Sequence, residues 1–238
     1  MGRISSSEHR IYAVDIGSTR GAAFAWAMTG SGINAVEGNQ EIEDLARRVA
    51  ADLVSGVNVA LGFEAPMFLP VPNDVKQLSR GRREDGSRSC FAPAGGYVAT
   101  LGLHQSAWIL RRLKAVCGRT VRFSLSLGDW LAAKGEPVLF CWEAFVSGRV
   151  HSEDKDPHAH LRDAATAATW FAYLERNDRL HELERVPVEP VISLLGAAAL
   201  WSGWASDVEV LSRPILIIKP DERYEGTISR PASTSSIC

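Results

Sequence analysis

The chain has 238 residues, of which 46% are hydrophobic, and a formal net charge of -2 at pH 7. This length fits one large domain or two small ones, and the composition is ordinary for a protein with a substantial core. The near-neutral charge argues against a generally basic nucleic-acid-binding surface, although a local basic loop is enough to bind a polyanion. No stretch approaches the ~18 apolar residues of a membrane span.

The four cysteines are scattered, without the spacing of a zinc ribbon or a redox pair, which is typical of a reducing compartment. The N-terminus lacks the apolar core of a signal peptide. We therefore expect a cytoplasmic protein with no membrane partner, and the sequence leaves the oligomeric state open. Residues 11–220 are expected to form a single domain between a flexible N-terminus, 1–10, and a flexible tail, 221–238.

The first predicted strand begins at Ile11 and runs into Asp15, after which the chain turns at Gly17 and Ser18. Apolar residues on both sides of the alternation are typical of a central strand that is covered on both faces. An unpaired carboxylate in such a strand costs several kcal/mol. A bound cation, or a phosphate-bearing ligand with its metal, is the usual compensation, so Asp15 is the first candidate site residue.

Hydrophobic periodicity and turn residues predict the other elements in chain order. Two short strands complete an antiparallel meander, and an amphipathic helix over residues 39–53 follows them. Residues 70–93 form a long loop that contains four arginines. Further strands are predicted at 57–64, 121–127, 137–146 and 214–218, and further helices at 97–116, 130–134, 161–174 and 191–204.

Acidic residues occur on three of these strands and on one helix. Asp15 and Glu64 end their strands, Glu143 lies within a later strand, and Asp163 lies in the first turn of a helix. A pair of Mg²⁺ or Mn²⁺ ions needs several carboxylates from different elements, because these ions prefer hard oxygen ligands. We therefore expect the four carboxylates to converge on one metal site. The alanines beside Asp163 would let its helix approach the sheet closely.

The order of elements and acids resembles the ribonuclease H-like superfamily. Residues 13–21, Ala-Val-Asp-Ile-Gly-Ser-Thr-Arg-Gly, resemble the first-strand motif of the RuvC-type Holliday-junction resolvases, whose Asp binds metal. Residues 161–168, Leu-Arg-Asp-Ala-Ala-Thr-Ala-Ala, resemble their final-helix motif, an Asp followed by small residues. Residues 62–70, the arginine-rich loop and residues 142–145 are also similar to a family of predicted nucleases of unassigned function within this superfamily.

This resemblance implies an α/β fold with a mixed five-stranded sheet, flanking helices and C-terminal additions. It implies a nuclease that hydrolyses phosphodiester bonds with two Mg²⁺ or Mn²⁺ ions held by Asp15, Glu64, Glu143 and Asp163. The partner expected from this resemblance is a nucleic acid.

Further residues have candidate roles in such a reaction. His160 or His158 could relay a proton. Candidate ligands of the substrate phosphates are Arg20, Arg80, Arg82 and Arg83.

Other interpretations stay open at this point. The segment from Asp15 to Arg20 also resembles the first phosphate-binding turn of actin-like and sugar kinases, including short pantothenate kinases, although the chain is short for two lobes. A catalytically inactive ribonuclease H-like binding module is a third hypothesis.

The family often has Asp where this chain has Glu64. The apolar helix at 191–204, whose Trp201 and Trp204 are expected in the core, could replace 161–174 as the helix beside Asp15.

Overall fold

A computed structural model describes residues 8–21, 23–85, 89–118, 121–146, 158–183 and 189–221. Two expectations lie largely outside these residues: the flexible N-terminus, 1–10, and the flexible tail, 221–238. Arg88 of the arginine-rich loop also lies outside them.

The described residues contain nine strands and five α-helices. The strands are β1 (His9–Asp15), β2 (Ala25–Gly30), β3 (Glu37–Asn39), β4 (Asn58–Glu64), β5 (Phe68–Pro70), β6 (Arg122–Ser124), β7 (Val138–Ala144), β8 (Val191–Ser193) and β9 (Ile217–Ile218). The helices are α1 (Ile42–Val54), α2 (Pro93–Cys117), α3 (Leu127–Leu131), α4 (Ala159–Arg176) and α5 (Leu194–Ser202).

Seven of the strands form one mixed sheet in the order β3-β2-β1-β4-β7-β6, with β9 also paired to β7. The pairs β1–β2 and β2–β3 are antiparallel, whereas β4, β7, β6 and β9 join in parallel with β1 and with one another. The predicted α/β class is therefore confirmed. The sheet has seven strands rather than the expected five, because β6 and β9 pair with successive halves of one edge of β7.

Helices cover both faces of this sheet. On one face, α1, α2 and α5 enclose a core that includes Leu61 and Phe63 of β4. On the other face, α3 and α4 enclose a second core that includes Phe140 and Trp142 of β7. The central strands are consequently buried on both sides, as the lack of a polar alternation predicts. Within the described residues, no helix combines the length and the apolar character needed to cross a bilayer.

The helix beside Asp15 is α4, which packs on β1 and β2, whereas α5 packs on α2 on the other face. Four alanines of α4 are at most 1% exposed, so its backbone lies close to the sheet. These alanines are Ala164, Ala165, Ala167 and Ala168.

The predicted helix at 191–204 begins instead as a strand, β8, which pairs antiparallel with β5 in a separate two-stranded sheet. The helix starts after Ser193, whose hydroxyl caps it by accepting a hydrogen bond from the Gly196 N–H at 2.9 Å. Trp204 is buried and donates to the carbonyl of Leu110 at 2.7 Å, as expected of a core residue. The same expectation for Trp201 is wrong, since its side chain is 61% exposed.

Candidate functional site

Asp15 and Glu64 are direct neighbours at the carboxyl ends of two central strands. Strands β1 and β4 are parallel, and Asp15 is the register partner of Glu64. Paired residues on adjacent strands direct their side chains to the same face of a sheet. That face is the one covered by α4. Asp15 is only 8% exposed, and Glu64 is partly buried.

The first turns of α4 bring two more predicted residues to this pair. The Nδ1 atom of His160 lies 2.6 Å from Oδ2 of Asp15. Asp163 lies three residues later on the helix and is close enough for its charge to act on both strand carboxylates. The structure therefore brings Asp15, Glu64, Asp163 and His160 together at one end of the sheet. His158, which precedes α4, is exposed.

Burial and mutual repulsion act on the two strand carboxylates. Burial raises the pKa of Glu64 well above its usual range, and the charges of Asp15 and Asp163 raise it further. Burial also raises the pKa of Asp15, against the opposing effect of the His160 hydrogen bond. That hydrogen bond in turn raises the pKa of His160. Among the described residues, Oε2 of Glu64 is buried without a hydrogen-bond partner. We call this cluster of Asp15, Glu64, Asp163 and His160 the carboxylate site.

The donor chemistry of the carboxylate site fits Mg²⁺ or Mn²⁺, because Asp15, Glu64 and Asp163 offer oxygen ligands and Glu64 Oε2 is unpartnered. In the part of the chain that is described, however, no three Asp, Glu, His or Cys side chains are arranged as a complete metal-binding group. One reason is visible at Asp15, where His160 already engages Oδ2.

Glu143 does not join the carboxylate site, contrary to the expectation that four acids converge. Its register partner on β4 is Phe63, so its side chain lies on the opposite face from Glu64. Glu143 is completely buried and accepts two hydrogen bonds of 2.7 Å from the guanidinium of Arg82. Its Oε2 also accepts a 2.9 Å hydrogen bond from the Met67 N–H. We therefore exclude Glu143 from the candidate metal ligands.

The expectation that Arg82 binds a substrate phosphate is also wrong. Its side chain is 2% exposed and is bound by Glu143 and Asp85. The neighbouring Arg80 and Arg83 are exposed. All three arginines line a wide cleft of about 1830 Å³, and the described lining of this cleft contains none of the carboxylate-site residues. Arg20 is exposed in the turn that follows β1, and it is the predicted arginine nearest in sequence to Asp15.

Gln105 of α2 is a functional candidate that the sequence reasoning missed. Its side chain is buried and donates a 2.6 Å hydrogen bond to the carbonyl of Gly17, two residues after Asp15. The backbone is tight here, since a Cβ at Gly17 would lie 1.8 Å from the carbonyl oxygen of Ala23. A large polar residue among the apolar residues of a buried helix was the available signal. Gln105 holds the turn that leaves the carboxylate site.

The functional interpretation rests on this geometry. No protein-family model, curated protein or solved structure matches the chain.

Proposed function

We propose that this protein is a divalent-metal-dependent nuclease of the ribonuclease H-like class, which hydrolyses phosphodiester bonds. The observation that carries the proposal is the pairing of Asp15 with Glu64 at the ends of two central parallel strands. Burial and their mutual repulsion disfavour the charged form of Glu64, whose Oε2 is unpartnered, and a bound cation would stabilise that charged form. Buried acids with raised pKa values are typical of functional sites.

The strand order supports the same class. The path β3-β2-β1-β4-β7, with β2 antiparallel to both neighbours, is a mixed sheet of the general kind that the sequence resemblance implies, and this supports the proposal. The acids at the ends of β1 and β4 and in the first turns of α4 agree with it as well. The additional strands β6 and β9 lie beyond β7, on the side away from Asp15.

Each residue of the carboxylate site has a role in this proposal. Asp15 and Glu64 would hold the cation from the sheet, and Asp163 would complete the set from α4. A bound Mg²⁺ or Mn²⁺ supplies Lewis-acid catalysis and makes a coordinated water more acidic. Because Nδ1 of His160 lies 2.6 Å from Asp15, the other ring nitrogen, Nε2, would be the atom that passes a proton to a departing oxygen. Arg20 provides an exposed guanidinium for a substrate phosphate near this end of β1.

One observation favours a second candidate, a non-catalytic binding module of the same class. Within the described residues, the acids do not form a complete metal-binding group, and His160 engages Asp15 directly. Such a module would bind nucleic acid without cleaving it.

A hydrolysis assay separates these two functions. Labelled linear and branched DNA and RNA are incubated with the wild type, Asp15→Asn or Glu64→Gln, in Mg²⁺, Mn²⁺ or EDTA. Glu182→Gln is the matched control, because Glu182 is an acid paired with Arg179 at the surface. We expect metal-dependent cleavage by the wild type and the control only.

Binding without cleavage would favour the module. Metal-dependent phosphotransfer from ATP that Asp15→Asn abolishes would favour an actin-like kinase instead.

A further inference from the structure

A second charged cluster lies at the same end of the sheet as the carboxylate site but on the opposite face. It consists of Arg82, Asp85 and Glu143, each at most 6% exposed. Asp85 accepts hydrogen bonds from the Arg82 side chain at 3.0 and 2.8 Å, and the Arg82 guanidinium lies 4.8 Å from the centre of the Phe68 ring. Arg82 also donates two 2.7 Å hydrogen bonds to Glu143, so its side chain connects the arginine-rich loop to β7. We call this cluster the clamp.

Stability alone is a poor explanation for the clamp. Replacing a buried ion pair by apolar residues of similar volume is often neutral or stabilising, because desolvation offsets the attraction between the charges. Buried ionic groups are better explained where they fix one particular arrangement of the chain. The relevant question is therefore which segment the clamp fixes.

The clamp fixes Met67. The Met67 N–H donates to Oε2 of Glu143 at 2.9 Å. On its other side, the Met67 carbonyl accepts hydrogen bonds from Leu194 at 2.8 Å and Leu195 at 3.2 Å, at the start of α5. Both backbone polar groups of Met67 are thus bound to different elements, and its backbone has little freedom to move.

Met67 follows Glu64 by only three residues. The chain turns sharply at Glu64, where the Ala65 N–H donates to the Phe63 carbonyl at 3.0 Å. Close packing against α2 holds the intervening segment as well, since a Cβ at Gly102 would lie 2.5 Å from the Ala65 side chain and 2.8 Å from that of Met67. Glu64 is therefore held between the β4 ladder on one side and the clamped Met67 on the other.

We propose that Arg82 and Glu143 are positioning residues, which fix the carboxylate of Glu64 beside Asp15 and thereby set the affinity of the carboxylate site for a divalent cation. The part of this inference that names a cation rests on the proposed function. The clamp itself touches neither substrate nor metal, because it acts from the opposite face of the sheet through residues 64–67.

The test compares the clamp with a matched interaction at the other end of the same strands. The clamp variant is Arg82→Met combined with Glu143→Met, which removes both charges and the acceptor for Met67. The control is Asn58→Ala, because the buried side chain of Asn58 on β4 accepts a 3.0 Å hydrogen bond from the Val138 N–H on β7. Both variants remove a buried bond to the backbone, but Asn58 lies at the amino end of β4, away from Glu64.

The first readout is the Mn²⁺ dissociation constant, measured by calorimetry together with the melting temperature. We expect the clamp variant to bind Mn²⁺ about 10-fold more weakly or worse, the usual effect of losing a residue that supports a metal ligand. We expect Asn58→Ala to bind within about twofold of the wild type even if it melts at a lower temperature. Wild-type affinity in the clamp variant would overturn the proposal.

A second variant covers the case in which the double variant does not fold. Glu143→Gln keeps an oxygen that can accept from Met67 but loses the anion that binds Arg82, so a smaller weakening of Mn²⁺ binding is expected. Unchanged affinity in Glu143→Gln would then contradict the proposal.

A metal-free readout separates the clamp from the proposed function. The side-chain carboxyl carbon of Glu64, labelled with ¹³C and assigned with Glu64→Gln, is observed at fixed pH in EDTA. We expect its resonance to move in the clamp variants and to stay in place in Asn58→Ala. If the wild type binds no Mn²⁺, the proposed metal-dependent function is wrong. The resonance of Glu64 still tests whether the clamp positions its carboxylate, and an unchanged resonance in the clamp variants would overturn that proposal.

Discussion

Two groups of buried acids lie at the carboxyl end of the same sheet, on opposite faces, and they differ in their hydrogen-bond partners. On the face of α2 and α5, Glu143 receives two hydrogen bonds from Arg82 and one from the Met67 backbone. On the face of α4, Glu64 has an oxygen with no partner among the described residues, and it lies beside Asp15 in the strand register.

The two acids also differ in how their neighbours act on their pKa values. Burial raises the pKa of Glu143, and the charge and hydrogen bonds of Arg82 oppose that rise. Burial also raises the pKa of Glu64, but there the neighbouring charges of Asp15 and Asp163 add to the rise. The partner of Glu143 therefore stabilises its charged form, whereas the neighbours of Glu64 disfavour that form, which is why we propose Glu64 and not Glu143 as a functional acid.

The largest expected effect follows from removing the guanidinium of Arg82, which is bound by the buried carboxylates of Glu143 and Asp85. Arg82→Met leaves Glu143 and Asp85 buried without their partner, so the free energy of unfolding should fall by about 3–5 kcal/mol. Chemical denaturation measures this change. Arg179→Met is the control, because its partner Glu182 is at the surface, and we expect a much smaller change in the free energy of unfolding. Similar losses in both variants would contradict the distinction between the two faces.

The next effect concerns the rate of the proposed reaction and His160, on the face covered by α4. Because His160 hydrogen-bonds Asp15 and is the proposed proton donor, His160→Ala should lower the rate of the proposed metal-dependent hydrolysis by about 100-fold. Its affinity for Mn²⁺ should be unchanged or higher, since the substitution frees Oδ2 of Asp15. Single-turnover kinetics and calorimetry separate these two quantities. A loss of Mn²⁺ affinity with an unchanged rate would assign His160 to metal binding instead.

The smallest effect compares the same substitution on the two faces. Glu64→Gln removes a poorly compensated charge and should stabilise the metal-free protein by about 0.5–2 kcal/mol, as is common for residues kept for function. Glu143→Gln weakens hydrogen bonds to a charged partner and should destabilise it by about 1.5–3 kcal/mol. Denaturation in EDTA measures both. Changes of the same sign would show that the two acids are in equivalent surroundings.

The sequence predicted the parts of the site that depend on local pattern. An apolar run into Asp15 identified β1, and another run identified β4 with Glu64 at its end. The small residues after Asp163 predicted a helix that packs closely on the sheet, and α4 does so. These features depend on one segment at a time, so periodicity was sufficient.

The face on which Glu143 lies could not be predicted in the same way. All seven residues of β7 are buried, so its sequence has no polar alternation to distinguish one face from the other. The face is set by the register between β7 and β4, which pairs Glu143 with Phe63 rather than with Glu64. A shift of one residue would have placed Glu143 in the carboxylate site.

Long-range pairing also explains the other differences. Strands β5 and β8 have three residues each and form only because they pair with each other. Arg82 is one of several arginines in a polar loop, and its buried contacts with Glu143 and Asp85 distinguish it from Arg80 and Arg83. Gln105 has its role because α2 passes over Gly17, which is 88 residues away in the chain.

The most direct test of the account is a calorimetric titration of Mg²⁺ and Mn²⁺ into the wild type and into Asp15→Asn. The account predicts millimolar or tighter binding by the wild type and no binding by the variant, because Asp15 and Glu64 supply the charge that a cation compensates. Absence of binding to the wild type, or equal binding to both proteins, would contradict the assignment of the carboxylate site.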